Sequence, residues 1–151
     1  LGALDGVCAA LDVACGYGVI GLALALRAPE AEICMTDDNL LAVCCAERGA
    51  HLNGVAERCR ILAGDALEPV AGRRFDLIAC NPPFHQGRDV EFSVARRIMR
   101  QAAAHLSDGG RFVLVANLFL RYEDDLIAHW GRVRTLAAND RFHVLEARDP
   151  R

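Results

Sequence analysis

Leu11-Asp12-Val13-Ala14-Cys15-Gly16-Tyr17-Gly18-Val19-Ile20-Gly21 is the stretch that decides the fold of this chain. An apolar run carries a carboxylate near its end, three glycines follow with the spacing G-x-G-x-x-G, and an apolar helical pattern takes over at Val19. Glycine lets the backbone turn tightly and lets a ligand approach bare amide groups, so a strand passing through this loop into a helix reads as a nucleotide-type cofactor site at Gly16 and Gly18. The glycine spacing alone also fits a dinucleotide fingerprint, and the neighbours must decide. Asp12 stands four residues before Gly16, at the mouth of the strand. A carboxylate there opposes a pyrophosphate but can accept a bond from a cationic amino-acid end, which disfavours NAD.

Working outward, Val7 to Leu26 is apolar enough to resemble a membrane span, but Asp12 and the three glycines break it into strand, loop and helix. Short apolar runs then alternate with helical patterns. Strands are expected at residues 8–13, 31–36, 59–63 and 75–80, with helices from Val19 and from Leu40 to Asn53, where Asn53-Gly54 makes a glycine C-cap. A helix from about Glu91 to Leu106, a turn at Asp108-Gly109-Gly110 and a strand from Arg111 to Ala116 follow. Arg132 to Ala137 and Arg141 to Ala147 are separated by so few residues around Asn139-Asp140 that they must pair antiparallel. The expected fold is α/β and Rossmann-like: a seven-stranded, mostly parallel sheet with the last strand antiparallel and helices on both faces.

Acids follow the strands. Asp37 ends the second strand about twenty residues after the loop, where a carboxylate can accept both hydroxyls of a ribose, and it is nearer the strand end than its neighbour Asp38. Asp65, after the third strand, can take an adenine amino group with the backbone of Ala66 nearby, or can satisfy its own loop backbone.

The fourth strand runs straight into Asn81-Pro82-Pro83-Phe84, at the sheet edge where open α/β folds bind ligands. A planar amino nitrogen is a poor nucleophile because its lone pair is delocalised. Two acceptors held in fixed geometry can orient its N–H groups: the side-chain oxygen of Asn81 and the backbone carbonyl of Pro82, on a loop stiffened by consecutive prolines. Phe84 offers a face for stacking a flat acceptor. Pro83 and His85 are candidate substrate contacts, with Gln86 and Arg88 secondary. His51, His105, His129 and His143 show no ligand spacing and read as surface or helix-face residues, so no metal site is expected.

Composition sets bounds. A chain of 151 residues, 53% hydrophobic, supports one core. The net charge of −3 excludes gripping nucleic acid by bulk charge. Seven cysteines without a CxxC pair imply neither zinc nor a closed disulfide framework, and free thiols fit a reducing cytoplasm. Cys8, Cys34, Cys59 and Cys80 lie in or beside strand-like runs as small hydrophobes.

With both motifs in view, the chain resembles the ribosomal RNA guanine-N2 methyltransferases of the RsmC and RlmG type. The resemblance rests on Leu11 to Gly21, Asn81 to Gly87, Leu106 to Gly110, Val115 to Tyr122 and Arg141 to Ala147. It implies a class I methyltransferase fold and an enzyme that transfers a methyl group from S-adenosyl-L-methionine to the exocyclic N2 of a guanine, releasing S-adenosyl-L-homocysteine. Ribosomal RNA or a ribosomal subunit is the implied partner, with no membrane and no metal. By that resemblance Asp12, Gly16 and Gly18 hold the methionine end, Asp37 the ribose and Asp65 the adenine, with Ala14 and Ala66 as further cofactor contacts. Asn81 meets both cofactor and acceptor, and Pro82, Pro83, Phe84 and His85 meet the target base. Ala14 stands where the family has glycine and Arg121 where it has proline. Typical members carry a degenerate methyltransferase-like domain in front of this one. Residues 1–151 are therefore expected to be a single domain and a fragment, binding cofactor but modifying RNA poorly alone. Competing readings are an N-methyltransferase for a protein glutamine amide or a DNA adenine, where Tyr is more usual at the position of Phe84, a cofactor-binding module without activity, and an NAD oxidoreductase.

Overall fold

The computed structural model describes residues 4–82, 88–120 and 122–151. Buried strands here are almost continuously apolar, as strands covered on both faces must be. These are β1 (Ala9–Val13), β2 (Glu32–Asp37) and β4 (Phe75–Cys80). Together with β3 (Cys59–Ala63), β5 (Leu106–Asn117), β6 (Trp130–Ala138) and β7 (Phe142–Pro150) they form one sheet in the order β3-β2-β1-β4-β5-β7-β6. Strands β1 to β5 are parallel to one another, and β7 runs antiparallel to both β5 and β6. The expected seven strands with the last one reversed are present.

The four helices are α1 (Val19–Arg27), α2 (Leu40–Leu52), α3 (Arg88–Ala104) and α4 (Tyr122–His129). Leu24 and Ala25 of α1 and Ala46 and Ala50 of α2 pack with Ile33, Met35 and Leu77 on one face. On the other face Ala95, Ile98 and Ala102 of α3 and Leu126 of α4 pack with Leu11, Ile78 and Phe112. Helices thus cover both faces. Asn39 caps α2, its Oδ1 accepting from Leu41 N–H at 2.9 Å. Arg58 closes the other helix of that layer, donating to the carbonyls of Ala25, Ala28 and Ala31 at the end of α1.

Several boundaries differ from the sequence reading. Helix α3 starts at Arg88 and ends at Ala104, so Leu106 belongs to β5. The Asp108-Gly109-Gly110 turn lies inside β5 as a bulge: Phe75 pairs with Leu106 and Leu77 with Arg111, and Gly109 takes φ +74°. Helix α4 is not among the helices expected from the sequence. His143 is buried on β7, 8% exposed, rather than on the surface, because its strand is covered by that helix layer. All seven cysteines are free, and Cys34, Cys59 and Cys80 lie in strands.

The order of strands places the site. From β1 the chain moves outward to β2 and β3, then returns to the far side of β1 as β4. The connections after β1 and β4 therefore diverge, opening a crevice at their carboxyl ends.

Candidate active site

That crevice is a cavity of about 290 Å³ lined by Asp12, Ala14, Cys15, Gly16, Tyr17, Val19, Ile20, Asp37, Asn81 and Pro82. Residues separated by up to 70 positions in the chain meet there because β2, β1 and β4 are adjacent. A roomier cavity of about 840 Å³ between α2 and β3, lined by residues such as Cys44, Arg48 and His51, lies away from the strand ends. The smaller one gathers Asp12, the glycine loop, Asp37 and Asn81.

Two left-handed residues shape the loop, Ala14 at φ +56° and Gly16 at φ +56°, and Gly18 at φ +87° caps α1. Gly18 is also pressed from outside, since a Cβ there would stand 3.0 Å from the Cβ of Ala46. The N-cap residue of α1 is Gly18, which has no side chain to offer; in the first turn the Gly21 N–H goes to Asp12, and the positive end of the helix still faces the cavity beside Val19 and Ile20.

Asp12 is 1% exposed. Its Oδ2 accepts from Gly21 N–H at 2.8 Å, while its Oδ1 has no partner among the described residues. Burial pushes the carboxyl up to about 7, the Gly21 bond pulls it down, and the nearby Asp37 raises it again. An anion buried with one oxygen unsatisfied, lining a cavity, fits a cationic ligand group. Asp37 does more than end β2. Its Oδ2 accepts from Gly16 N–H at 2.7 Å and its Oδ1 from Asn39 N–H at 2.9 Å, so the same carboxylate that faces the cavity also braces the glycine loop. Lone pairs remain on both oxygens for hydroxyl donors. Asp38 is exposed and absent from the lining.

Asp65 lies off this lining. Both its oxygens are taken by Arg97 of α3, at 2.6 and 2.5 Å, a bidentate pair rather than a bond to its own loop backbone. Ala66 beside it has φ +49°. Asn81 is exposed at the end of β4 and Pro82 is buried behind it, both on the cavity wall. Pro83, Phe84, His85, Gln86 and Gly87 lie outside the described residues, and Arg88 opens α3.

The sequence reading missed Tyr17, Val19 and Ile20 as lining residues. Their places between and just after the glycines were the available signal. Cys15 lines the wall as well, and burial together with Asp12 and Asp37 raises its thiol to about 12, which keeps it protonated and inert. Among the described residues no group of His, Cys, Asp or Glu could hold a metal ion, and no helix is long and apolar enough to cross a membrane.

The strand order, the glycine loop at the centre of the sheet and the Asn-Pro step beyond the adjacent strand define a Rossmann-like methyltransferase domain. The chain belongs to the methyltransferase small domain family, which matches residues 4–146. It is 45% identical over 137 residues to ribosomal RNA small subunit methyltransferase C of Hahella chejuensis, covering 91% of this chain and 39% of that protein. The same enzyme of Pseudoalteromonas atlantica is 40% identical over 134 residues, covering 89% and 38%. Among solved structures, the T. thermophilus 16S rRNA N2 methyltransferase RsmC, in complex with AdoMet and guanosine, superposes with TM-score 0.83 at 36% identity, covering 95% of this chain and 38% of that one. A ribosomal protein L11 methylase from Lactobacillus delbrueckii shares the fold, with TM-score 0.77 at 18% identity. The chain spans about two fifths of the length of the curated relatives it matches.

Proposed function

We propose that this domain transfers a methyl group from S-adenosyl-L-methionine to the exocyclic N2 of a guanine in ribosomal RNA, in the cytoplasm. The observation that carries the reading is the convergence of Asp12, Gly16, Asp37 and Asn81 on one cavity at the β1/β4 crevice. Relatives named as ribosomal RNA methyltransferases, and the T. thermophilus 16S rRNA N2 methyltransferase solved with AdoMet and guanosine, support the reading.

The unpartnered Asp12 Oδ1 suits the ammonium of the methionine end, and the glycine-capped start of α1 suits its carboxylate. Asp37 suits the ribose hydroxyls while bracing Gly16. Asp65 and Ala66 are proposed at the adenine, with the Asp65 carboxylate held through both oxygens by Arg97 and a lone pair on each left to accept. When bound, the cofactor supplies an electrophilic methyl on a sulfonium.

The rest of the task falls to alignment. Asn81 Oδ1 and the Pro82 carbonyl accept from the two N–H groups of the acceptor amine and turn its lone pair toward the cofactor side of the cavity, with Phe84, Pro83 and His85 proposed at the base itself. No strong general base is needed, because the nitrogen becomes acidic as it is alkylated and passes its proton to solvent or a weak acceptor.

The test is methyl transfer from labelled S-adenosyl-L-methionine to unmodified ribosomal RNA, naked and assembled, with nucleoside analysis. N2-methylguanine is the expected product. Asn81→Ala should cut transfer at least 100-fold, about the effect of losing an aligning donor or acceptor in an active site, with cofactor affinity nearly unchanged. Full activity in that variant would sink the mechanism.

A further inference from the structure

One exposed feature beside the crevice has no part in the cofactor site. Strand β5 lies next to β4, with Leu114 opposite Cys80. Continuing both strands by register, the Asn117 end of β5 stands roughly 8 Å from the backbone of Asn81, one strand across and two residues further along. There the chain folds a tight turn over residues 117–120. Asn117 Oδ1 accepts from Phe119 N–H at 3.0 Å, and the Asn117 carbonyl accepts from Leu120 N–H at 2.9 Å. The turn at 139–142 between β6 and β7 is built the same way, with Asn139 Oδ1 accepting from Arg141 N–H and Phe142 N–H at 2.9 and 2.8 Å. Leu118 N–H donates to the Arg141 carbonyl at 3.0 Å and zips the two turns together.

This braced pair of turns presents an aromatic ring and a cation to solvent. Phe119 is 84% exposed and Leu118 beside it 45%. Arg141 is exposed and pairs with no carboxylate among the described residues, although Asp140 precedes it. Elsewhere the arginines of β6 and β7 are spent on acids: Arg132 on Asp149, and Arg134 and Arg148 on Glu146. In a chain of net charge −3, Arg141 and Phe119 stand on two asparagine-locked turns joined by a backbone bond at the carboxyl edge of β5. Stacking on an aromatic face and pairing of a guanidinium with phosphate are the two contacts by which single-stranded nucleic acid is held without reading its sequence.

We propose that Phe119 and Arg141 form an acceptor-side platform, Phe119 stacking on a base that flanks the target nucleotide and Arg141 pairing with an adjoining phosphate. This rests on the reading of the acceptor as an RNA base, and it adds two substrate-contacting residues, in the turn after β5 and the turn before β7, to the Asn81 loop.

The experiment measures binding of a fluorescein-labelled, guanine-containing single-stranded RNA by anisotropy across a salt series, alongside methyl transfer to ribosomal RNA. Both side chains are exposed, so the variants should melt like the parent chain. Phe119→Ala should weaken RNA binding and raise the RNA KM by roughly 5- to 100-fold, the range for losing one base stack, with kcat within twofold and Phe119→Trp restoring the contact. Arg141→Ala should weaken binding and reduce the salt slope by about one phosphate contact. Cofactor affinity should not move in either. RNA affinity unchanged in both Ala variants, or no RNA binding by the parent chain, overturns the platform, as does a raised KM confined to a protein acceptor. Asn81→Ala tests the other reading separately: it should lose transfer while keeping RNA affinity. If it keeps transfer instead, the aligning role fails while the anisotropy result still decides the platform.

Discussion

Replacing Asp12 by Asn should make the domain more stable and a worse binder, with the stability gain growing as pH rises. In the folded chain the carboxyl sits at about 7 against an ordinary 3.8, chiefly because it is buried with one oxygen unpaired. Below pH 3.8 the group is protonated in both folded and unfolded chains and costs nothing through ionisation. Between 3.8 and 7 the unfolded chain releases the proton while the folded chain holds it, so stability falls as pH rises, and above 7 the full penalty applies. At 1.36 kcal/mol per pH unit the penalty reaches about 4 kcal/mol. Asn is nearly isosteric, keeps an oxygen for Gly21 N–H and does not titrate. Its own buried amide carries a constant cost that cancels when the two proteins are compared across pH. Urea unfolding at a series of pH values from 4.5 to 8 should therefore show the difference between variant and parent shifting toward the variant by a few kcal/mol. Calorimetric titration with S-adenosyl-L-methionine at pH 8 should show the variant binding roughly 10- to 100-fold more weakly, as expected for losing a charged hydrogen bond. A stability difference that stays flat with pH would refute the electrostatic account of Asp12. A flat difference with normal cofactor binding would remove Asp12 from the site altogether.

Further substitutions test the packing of the glycine loop and of both ends of α1. Gly21→Ala should cost about 2 kcal/mol by overpacking, because a Cβ there would meet the Met35 Cγ and Sδ at 2.6 Å. Met35→Ala should recover part of that cost in a double-mutant cycle read by chemical denaturation, and strict additivity would show that the contact is not the cause. Ala14→Gly should stabilise the chain by about 0.5–1 kcal/mol: the left-handed φ of +56° costs an L-residue about 1–2 kcal/mol, partly offset by the greater freedom of unfolded glycine. A lower thermal midpoint would contradict this. Arg58→Ala should destabilise by about 2 kcal/mol by removing three guanidinium bonds to the carbonyls of Ala25, Ala28 and Ala31, of which Ala28 keeps the Ala31 N–H, with Arg58→Lys recovering only part. Equal stability of Arg58→Ala and parent would mean water serves those carbonyls as well.

Much of the fold was legible because local pattern and tertiary demand agree. A strand buried on both faces has to be apolar throughout, and a loop crossing from strand to helix under a ligand has to be glycine-rich, so β1, β4 and the turn into α1 announce themselves. What escaped was context. The start of α3 follows residues with no helical period of their own. Helix α4 is only eight residues long, and its one local signal was the acidic first turn Glu123-Asp124-Asp125. The turn at Asp108-Gly109-Gly110 reads as a chain break, yet the neighbouring strand keeps pairing on either side of it, so it becomes a bulge.

For the candidate site the division is sharper. The sequence by itself determined which residue types stand at the strand ends: a carboxylate, a glycine loop, a second carboxylate, and asparagine followed by proline. Those follow from one-dimensional spacing, because each strand delivers its last residues to the same edge of a parallel sheet. Only the tertiary structure decided who meets whom. Asp37 turned out to brace the Gly16 amide, Asp65 to be claimed by Arg97 32 positions away, and Phe119 and Arg141 to share a braced surface. Partners so far apart in sequence are chosen by the order in which strands lie side by side, and that order is fixed by how the two apolar layers close over the sheet.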